Sequence, residues 1–502
     1  MDLLNYLLLG FQVCLQPANL FLAFMGCLIG TLVGVLPGLG PAAAISLLLP
    51  TSFHLTPVGG IILLAGIYYG SMYGGSTTSI LVNIPGEAAS VVTCLDGYEM
   101  AKQGRAGPAL GIAAIGSFIA GTAGVVGLML VAPPLAEMAL KFGPPEYTTL
   151  MILGLVVVTF LVKGSMAKAL LMVAFGMFLS TIGLDAVSGV ARFSFGMVEL
   201  MDGIGMVPVV MGLFGISEVL INLEKTFGRE ILKGEIKDYL PTKEDWRKSA
   251  MPILRGSVLG FFLGILPGGG AVLGSFVSYA VEKRISKHPE KFGTGVIEGV
   301  AGPEAANNSA TAGAFIPLLT LGIPSNVVMA ILLGAMMIHG ISPGPNLIHE
   351  HPQVFWGVII SMYIGNVMLL VLNLPLIGMW VQVLKVPYKF LFPLILLFCL
   401  IGAYSLNFAT FDILIMIVFG VIGYLMKKTD YEGAPLILAL VLGNLFENAA
   451  RQSLMLSDGS FRIFFNRPIA AVFILVAIAL LVIPILPGLK KRRPAVGVEA
   501  ED

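Results

Sequence analysis

The sequence is dominated by long apolar runs separated by short polar stretches. A run of about 20 apolar residues is long enough to cross the hydrocarbon core of a bilayer as an α-helix. Runs that meet or approach this length predict spans at residues 19–36, 57–73, 109–131, 147–162, 165–183, 205–222, 252–266, 354–374, 390–405, 408–426, 434–448 and 468–489. The pattern therefore predicts an all-α protein that crosses a membrane many times.

A second class of apolar segment is too short to span a bilayer or is interrupted by Gly, Pro, Ser, Thr and Asn. Irregular backbone at membrane depth has N–H and C=O groups that lipid cannot satisfy, so it occurs only inside protein or beside a cavity. We therefore expect the functional residues in these broken segments. They are residues 41–53, 76–84, 88–101, 270–282, 311–322 and 326–340.

The composition agrees with a membrane location. Only 12% of the 502 residues are charged and 57% are hydrophobic, whereas about 25% of the residues of a typical soluble domain are charged. Lysine and arginine together number 29, as do aspartate and glutamate, so the formal net charge is zero. A neutral chain lacks the basic surface that nucleic acid requires, and its mean hydropathy of +0.93 excludes intrinsic disorder.

Basic residues predict the orientation of the chain. The polar stretch 224–250 carries seven of them, and the tail 490–502 opens with Lys-Lys-Arg-Arg, which places both in the cytoplasm by the positive-inside rule. No Lys or Arg precedes Lys102, so we expect an N-terminus that is neither a cleaved signal nor held inside. The basic residues of the central stretch are Lys225, Arg229, Lys233, Lys237, Lys243, Arg247 and Lys248.

The two halves of the chain repeat one pattern. Glycines at a spacing of four, from Gly26 to Gly38, recur 230 residues later from Gly256 to Gly268, and GVLPGLG recurs as GILPGGG. Later matches follow in the same order at offsets between 230 and 244, which predicts a duplication with short insertions. They are Ile84-Pro85 with Ile323-Pro324, Gly107-Pro108 with Gly344-Pro345, and Phe175-Gly176 with Phe419-Gly420.

The duplication divides the chain and predicts its topology. Repeat 2 begins beside a cytoplasmic loop. The single span after it ends in the cytoplasm, so repeat 2 must end on the outside. A repeat that begins inside and ends outside crosses the membrane an odd number of times. The repeats are then inverted, as in many secondary transporters, although Arg451, Arg462 and Arg467 would lie outside, against the positive-inside rule. The predicted parts are an N-terminal segment at 1–18, repeat 1 at 19–223, a cytoplasmic linker at 224–250, repeat 2 at 251–451, a transmembrane helix at 468–489 and a cytoplasmic tail at 490–502.

Each repeat opens with a helix that breaks at Leu-Pro-Gly-x-Gly. Proline lacks the N–H group and glycine permits unusual backbone angles, so one helix ends and another begins at membrane depth. The N-terminus of the restarted helix offers free N–H groups and a positive dipole end, which suit a carboxylate or a phosphate; a pair of packing kinks is the alternative. The predicted substrate-binding residues here are Gly38, Leu39, Gly40, Gly268, Gly269 and Gly270.

A polar cluster follows each break. Hydroxyl and amide groups can hold a carboxylate, and freed carbonyl and side-chain oxygens can bind a small cation such as Na⁺. Each Ser or Thr could instead bond to its own helix. Glu298 and Glu304 flank the second cluster, and either could carry a proton or a cation or could instead cap a helix. The predicted further substrate ligands are Ser76, Thr77, Thr78, Ser79, Asn307, Asn308, Ser309 and Thr311. The predicted coupling-ion residues are Asn83, Pro85, Gly86, Glu304, Gly322, Pro324 and Ser325.

Other chemistry has little support in the sequence. Cys14, Cys27, Cys94 and Cys399 have no metal-binding spacing, and His349-Glu350-His351 lacks the spacing of a zinc site, so no metal and no cofactor are expected. Asp96 and Glu99 resemble the solvated end of a helical hairpin. An intramembrane enzyme would need paired ionisable residues, and Asp185, Asp202 and Asp412 are far apart in the sequence. A channel for small anions is the other alternative.

Four long strings in the broken segments resemble the large membrane subunit of the tripartite tricarboxylate transporters, the TctA family. One departure is IPSN at 323–326, where IPG is expected, so the role of Ser325 is open. The likeness covers nearly the whole chain. Its strings are GVLPGLGPAAAISLLLP at 34–50, YYGSMYGGSTTSILVNIPGEAASVVTCLDGYEMAKQGRAGPAL at 68–110, RGSVLGFFLGILPGGGAVLGSFVSYAVEKR at 255–284 and EGVAGPEAANNSATAGAFIPLLTLGIPSN at 298–326.

The resemblance implies a multi-pass permease of the bacterial inner membrane. It would work with a small four-helix membrane subunit and a periplasmic solute-binding protein. Members of such systems import small carboxylates, commonly di- and tricarboxylates, with a gradient of Na⁺ or H⁺ rather than ATP. By the same likeness, a transport domain would move like an elevator against a scaffold.

Overall fold

The computed structural model describes residues 3–36, 39–161, 165–185, 187–224, 239–268, 270–384 and 388–483. Within these ranges the chain is almost entirely helical, and every predicted span overlaps a helix; residues 162 and 484–489 of two predicted spans lie outside the described residues. Eight helices are long and apolar enough to cross a membrane, which confirms an all-α polytopic membrane protein. They are Pro17–Val35, Pro57–Val82, Ala106–Ala139, Pro144–Leu161, Met206–Glu224, Pro352–Asn373, Thr410–Lys428 and Gly433–Leu456.

The first half contains ten α-helices and a two-stranded antiparallel hairpin. The α-helices are α1 (Leu3–Cys14), α2 (Pro17–Val35), α3 (Pro41–Ser52), α4 (Pro57–Val82), α5 (Val91–Lys102), α6 (Ala106–Ala139), α7 (Pro144–Leu161), α8 (Met166–Ser180), α9 (Met206–Val210) and α10 (Ser217–Glu224). The remaining elements are 3₁₀ turns at Ala88–Ser90 and Val198–Leu200, strands β1 (Gly183–Leu184) and β2 (Ala191–Arg192), and a π-helix at Met211–Ile216 between α9 and α10.

The second half continues with α-helices and one 3₁₀ turn at Pro289–Lys291. The α-helices are α11 (Lys243–Ile265), α12 (Gly270–Ile285), α13 (Glu298–Leu321), α14 (Val327–Ile338), α15 (Leu347–Glu350), α16 (Pro352–Asn373), α17 (Ile377–Val383), α18 (Tyr388–Asn407), α19 (Thr410–Lys428), α20 (Gly433–Leu456), α21 (Ile463–Asn466) and α22 (Pro468–Val482).

The ends of helices α4 and α13 follow from their local sequence. Pro57 opens α4, where its missing N–H is unimportant, and the Thr56 hydroxyl accepts the Gly59 N–H at 3.2 Å. Left-handed residues end the two helices at corresponding places, Asn83 after α4 (φ 58°) and Gly322 after α13 (φ 69°). The predicted interruptions at 76–84 and 311–322 are wrong in part, because residues up to 82 and up to 321 belong to these two continuous helices.

Helices α2 and α3 form a first hairpin against α4. A Cβ at Gly26 would lie 2.5 Å from the Leu63 carbonyl oxygen, and one at Gly30 would lie 2.5 Å from that of Ile67, so α2 and α4 run parallel in direct backbone contact. Helix α3 then returns, and its Ser52 carbonyl oxygen lies 3.2 Å from a Cβ built at Gly60. The repeated glycines of this half are a packing surface between two helices.

Helices α11 and α12 form a second hairpin against α13. A Cβ at Gly256, Gly260 or Gly264 would overlap a carbonyl oxygen of α13, and the contacted residues rise in the same order, so α11 and α13 also run parallel. The contacted carbonyls belong to Gly302, Ala306 and Ala310. Arg255 on α11 reaches Glu282 near the end of α12, with Nε–Oε1 2.8 Å and Nη2–Oε2 2.5 Å, which makes the two helices antiparallel.

Helices α4 and α13 lie side by side at the centre of the molecule and run antiparallel. Tyr68 and Phe315 are in ring contact at 6.4 Å, whereas Ser76 meets Glu304 toward the opposite end of α13. Helices α6 and α16 pack against the same pair. Every residue of α4 from Gly59 to Val82 is buried, as is every residue of α13 from Gly299 to Thr320. Both predicted polar clusters therefore lie in the interior.

The arginines that contradict the positive-inside rule are partly accounted for by ion pairs. Arg451 contacts Asp185 at 2.8 Å and Glu447 at 2.6 Å. The backbone N–H groups of Ser188 and Val187, together with Arg451, hold the pKa of Asp185 well below its usual range. Arg467 likewise lies 3.4 Å from Glu146. Paired cations reduce the net positive charge of these loops, and the orientation across the membrane remains a prediction.

Candidate substrate and cation site

The carboxylate of Glu304 is the centre of the buried polar cluster. Its side chain lies on α13, has no exposed surface and accepts hydrogen bonds from Ser76 on α4 at 2.5 Å, from Asn307 at 3.2 Å and from Thr93 on α5. Among the described residues, no Lys, Arg or His forms an ion pair with it. A buried carboxylate without a fixed cation can bind a mobile one.

Asparagines extend this network toward α6. The Asn308 amide donates to the Ser117 hydroxyl at 2.7 Å and to the Asn307 side-chain oxygen at 2.5 Å. Asn307 in turn donates to Glu304. The structure thus brings together four residues predicted for the site, Ser76, Glu304, Asn307 and Asn308, and it adds Ser117 and Thr93, which the sequence analysis missed.

Other predicted ligands make bonds that hold helices together. Thr78 donates to the Val35 carbonyl oxygen at the end of α2 at 2.7 Å, and Ser309 donates to the Ser257 carbonyl oxygen on α11 at 2.7 Å. The Thr311 hydroxyl bonds to its own helix. Ser79 donates to the Ser90 hydroxyl at 2.9 Å. Thr78 and Ser309 therefore fasten each hairpin to its central helix.

The tips of the two hairpins are close to helix ends. The Gly268 N–H donates to the Ser325 carbonyl oxygen at 2.7 Å, which joins the second tip to the turn after α13. A Cβ at Gly270 would lie 3.4 Å from the Asn326 amide nitrogen, and that amide donates to the Tyr68 hydroxyl at 3.2 Å. Gly38 and Gly269 lie outside the described residues.

The first tip is more open. Leu39 is buried, but a Cβ at Gly40 would have no atom within 4 Å. Gly40 is the N-cap of α3, and Pro41 opens that helix.

The loops after α4 and α13 serve mainly as turns. A Cβ at Gly86 would overlap the Gly34 carbonyl oxygen, so Gly86 permits close approach to α2. Ser325, the departure in IPSN, donates back to the Ala314 carbonyl oxygen at 3.2 Å. Asn83 and Gly322 are the left-handed caps, and Pro85 and Pro324 lie between those caps and the next helices.

Glu87 is a second buried carboxylate beside this loop. Its side chain caps the following 3₁₀ turn, where Oε2 accepts the Ala89 N–H at 2.6 Å. The other oxygen, Oε1, is buried without a hydrogen-bond partner.

Asp96 corrects an expectation. It is fully buried rather than solvated, and its Oδ1 accepts three backbone N–H groups, each at 2.9 Å, from Gly293, Gly295 and Val296. The Tyr279 hydroxyl donates to Oδ2 at 2.9 Å. Asp96 thus fixes the loop between α12 and α13 onto α5 of the first half.

Polar residues of α16 were also missed. Asn366 accepts from the Tyr73 hydroxyl at 3.5 Å, Ser361 contacts the Tyr69 hydroxyl at 3.3 Å, and Asn373 is buried near the end of the helix. The signal was present, because Asn366 and Asn373 are seven residues apart and share one face of an apolar helix. Within the described residues, no group of three or more His, Cys, Asp or Glu could hold a metal ion.

Comparison with known proteins gives the family. The Tripartite tricarboxylate transporter TctA family model matches residues 20–438. The chain is 51% identical over 501 residues, the full length of both proteins, to an uncharacterized 52.8 kDa protein in the TAR-I ttuC' 3' region of Agrobacterium vitis. It is 50% identical over 240 residues, 48% of this chain and 99% of the relative, to an uncharacterized protein in the TAR-II ttuC' 3' region of the same organism. No solved structure matches. The chain belongs to the tripartite tricarboxylate transporter TctA family.

Proposed function

We propose that the chain is the large permease subunit of a tripartite system that imports small carboxylates of the di- or tricarboxylate class, coupled to a gradient of Na⁺ or H⁺. The observation that carries the proposal is a buried polar centre between two helix hairpins that contains carboxylates but no basic side chain. Segments 37–41, 76–87, 267–270 and 304–326 contain no Lys, Arg or His. Such a centre suits an anion that arrives together with cations.

Neutral groups would hold the substrate. The N-termini of α3 and α12 offer backbone N–H groups and the positive ends of helix dipoles to a carboxylate. Asn326 and Tyr68, next to the second tip, supply side-chain hydrogen bonds. Cations near Glu304 would offset the remaining charge and so couple the two fluxes.

Helix directions support the proposed inverted repeats. The first helix of each hairpin runs parallel to the central helix on which it packs, α2 to α4 and α11 to α13. The two central helices, α4 and α13, run antiparallel to each other. An inverted repeat of this kind accounts for alternating access by movement of one unit against another, and an elevator-like movement is our proposal for the mechanism.

The family supports the partners and the location. TctA proteins are the large subunits of tripartite systems, so we expect a small four-helix membrane subunit and a periplasmic solute-binding protein. The inner membrane is the expected location, with the 224–250 loop and the C-terminal tail in the cytoplasm. Residues 225–238 and 484–502 lie outside the described residues.

The test has two stages. Thermal shift of the purified solute-binding protein against a panel of mono-, di- and tricarboxylates identifies the substrate. Both membrane subunits are then reconstituted in proteoliposomes, and uptake of that labelled substrate is measured with Na⁺, H⁺ or no gradient. We expect uptake that saturates and requires a cation gradient. Flux that is linear in substrate and independent of any gradient would instead identify a channel, and conversion of the substrate would identify an enzyme.

A further inference from the structure

A small cavity adjoins the Glu304 network on the side of α6 and α16. We call it the Asn373 cavity, and it has room for about one water-sized particle. Helix α4 contributes Ser76, the residue that also donates to Glu304, so the cavity and the carboxylate share a wall. The lining residues are Tyr73, Ser76, Thr77, Leu110, Ala113, Ala114, Ser117 and Asn373.

Asn373 lines this cavity and has an unsatisfied side-chain oxygen. The residue is 3% exposed, and its amide nitrogen donates to the Leu369 carbonyl oxygen at 3.0 Å and to the Thr31 hydroxyl at 3.4 Å. Its Oδ1 is buried and has no hydrogen-bond partner. Burying such an acceptor is unfavourable unless a ligand satisfies it, so this atom points to a missing partner.

The other polar atoms of the cavity wall are hydroxyl oxygens. Ser76 directs its hydrogen toward Glu304 and Ser117 accepts from Asn308, so each retains lone pairs. Thr77 also lines the cavity. Neutral oxygen ligands in a site of this size, beside one carboxylate, favour a hard cation.

We propose that the Asn373 cavity binds one dehydrated monovalent cation of the size of Na⁺, with Glu304 as the balancing charge. The ligands would be oxygen atoms of Ser76, Thr77, Ser117 and Asn373. This inference rests on the proposed transport function and assigns its coupling ion. It moves the cation away from the turns after α4 and α13, where the sequence analysis placed most of its residues, to the junction of α4, α6 and α16.

Binding of the cation can be measured without transport. The purified chain is thermally unfolded in choline chloride at constant ionic strength while NaCl or KCl replaces choline. A ligand that binds only the folded state raises the melting temperature, so we expect a saturable rise with Na⁺ and little with K⁺. Loss of one ligand in Thr77→Val or Asn373→Ala should raise the half-saturating Na⁺ concentration about tenfold, which is about 1.4 kcal/mol of binding free energy.

A matched control is Asn19→Ala. Asn19 is another buried asparagine of a spanning helix, 5% exposed, and its amide bonds to the Val13 carbonyl oxygen at 2.8 Å. This variant should melt at a lower temperature with an unchanged half-saturating Na⁺ concentration. The Glu304→Gln variant should lose the Na⁺ effect.

Three results would overturn the site. One is the absence of a Na⁺-specific rise in the wild type, which means a water-filled cavity. Another is an unchanged half-saturating concentration in both Thr77→Val and Asn373→Ala. The third is an equal rise produced by lowering the pH without Na⁺, which assigns a proton to Glu304. Saturable uptake driven by a proton gradient would leave the transport function standing in each case.

Discussion

The two hairpins use the same backbone contact but are held in place by different means. Residues 17–56, which contain the first hairpin, include no Asp, Glu, Lys or Arg, so it is held by glycine-mediated packing and by the bond from Thr78 to Val35. The second hairpin adds the two-fold ion pair between Arg255 and Glu282. Its loop to α13 is also fixed by Asp96.

The central helices α4 and α13 differ in charge, as the two hairpins do. Helix α4 contains no charged residue and supplies hydroxyl groups, among them those of Tyr73, Ser76 and Thr77. Helix α13 supplies the carboxylate of Glu304. The matching glycines of the two halves make a similar helix contact, whereas the charged residues of the two hairpins and their central helices lie in the second half. The halves are therefore complementary, and a change that affects one should not be equivalent to the matching change in the other.

The largest expected effect comes from removing the Glu304 carboxylate at the crossing of α4 and α13. Glu304→Gln removes the group that balances the coupling cation and leaves the donors Ser76 and Thr93 facing an amide. A hydrogen bond to a charged group is worth about 1.5–3 kcal/mol, so we expect uptake in proteoliposomes to fall about a hundredfold. Size-exclusion chromatography should still give folded protein.

Glu298→Gln is the control for this change, because Glu298 lies in the first turn of the same helix, α13. It should retain wild-type uptake. Equal loss in both variants, or normal uptake in Glu304→Gln, would remove the distinction between a coupling carboxylate and an ordinary helix-end acid.

Replacing a contact glycine by alanine should destabilise the protein in either half. Gly30→Ala and Gly260→Ala each place a methyl group against a backbone carbonyl oxygen of the partner helix. Overpacking of this kind costs about 1–3 kcal/mol, which we expect as a lower unfolding midpoint in detergent. Gly154→Ala is the control, since a Cβ there meets nothing within 4 Å. If only one of the two contact variants loses stability, the hairpins are not packed alike.

The ion pair between Arg255 and Glu282 should stabilise the second hairpin, and the first hairpin has no such pair. Glu282 has a buried side chain, 3% exposed, whereas Arg255 is 33% exposed, so solvent weakens the pair. Arg255→Ala leaves the carboxylate without its partner, and we expect a loss of about 1–2 kcal/mol in unfolding free energy. A double-mutant cycle with Glu282→Ala measures the coupling. Additive losses would mean that the ion pair does not hold this hairpin.

The sequence predicted helices better than it predicted polar partners. Apolar runs are local patterns, so they identify helices directly, whereas the packing of the repeated glycines against α4 and α13 became visible only in the structure. The donor Thr93 lies 211 residues from Glu304, and only the packing of α5 on α13 brings them together. The importance of Asn373 likewise depends on an atom left unpaired after α4, α6 and α16 have packed. Asp96 was misjudged because three of its partners are backbone groups, which no side-chain pattern reveals, and the fourth, Tyr279, lies 183 residues away.

The smallest effect separates two adjacent threonines of α4. Thr77 lines the Asn373 cavity, whereas Thr78 donates to the Val35 carbonyl oxygen at the end of α2. Valine preserves the shape of threonine but removes its hydroxyl, so Thr78→Val should cost about 1 kcal/mol of stability and leave the half-saturating Na⁺ concentration of uptake unchanged. Thr77→Val should do the reverse, changing the Na⁺ dependence more than the unfolding midpoint. The pair thus compares two hydroxyl groups one position apart, one joining the first hairpin to its central helix and the other facing the proposed ion. If both variants changed the Na⁺ dependence alike, the polar face of α4 would act as one site, as the sequence alone suggested.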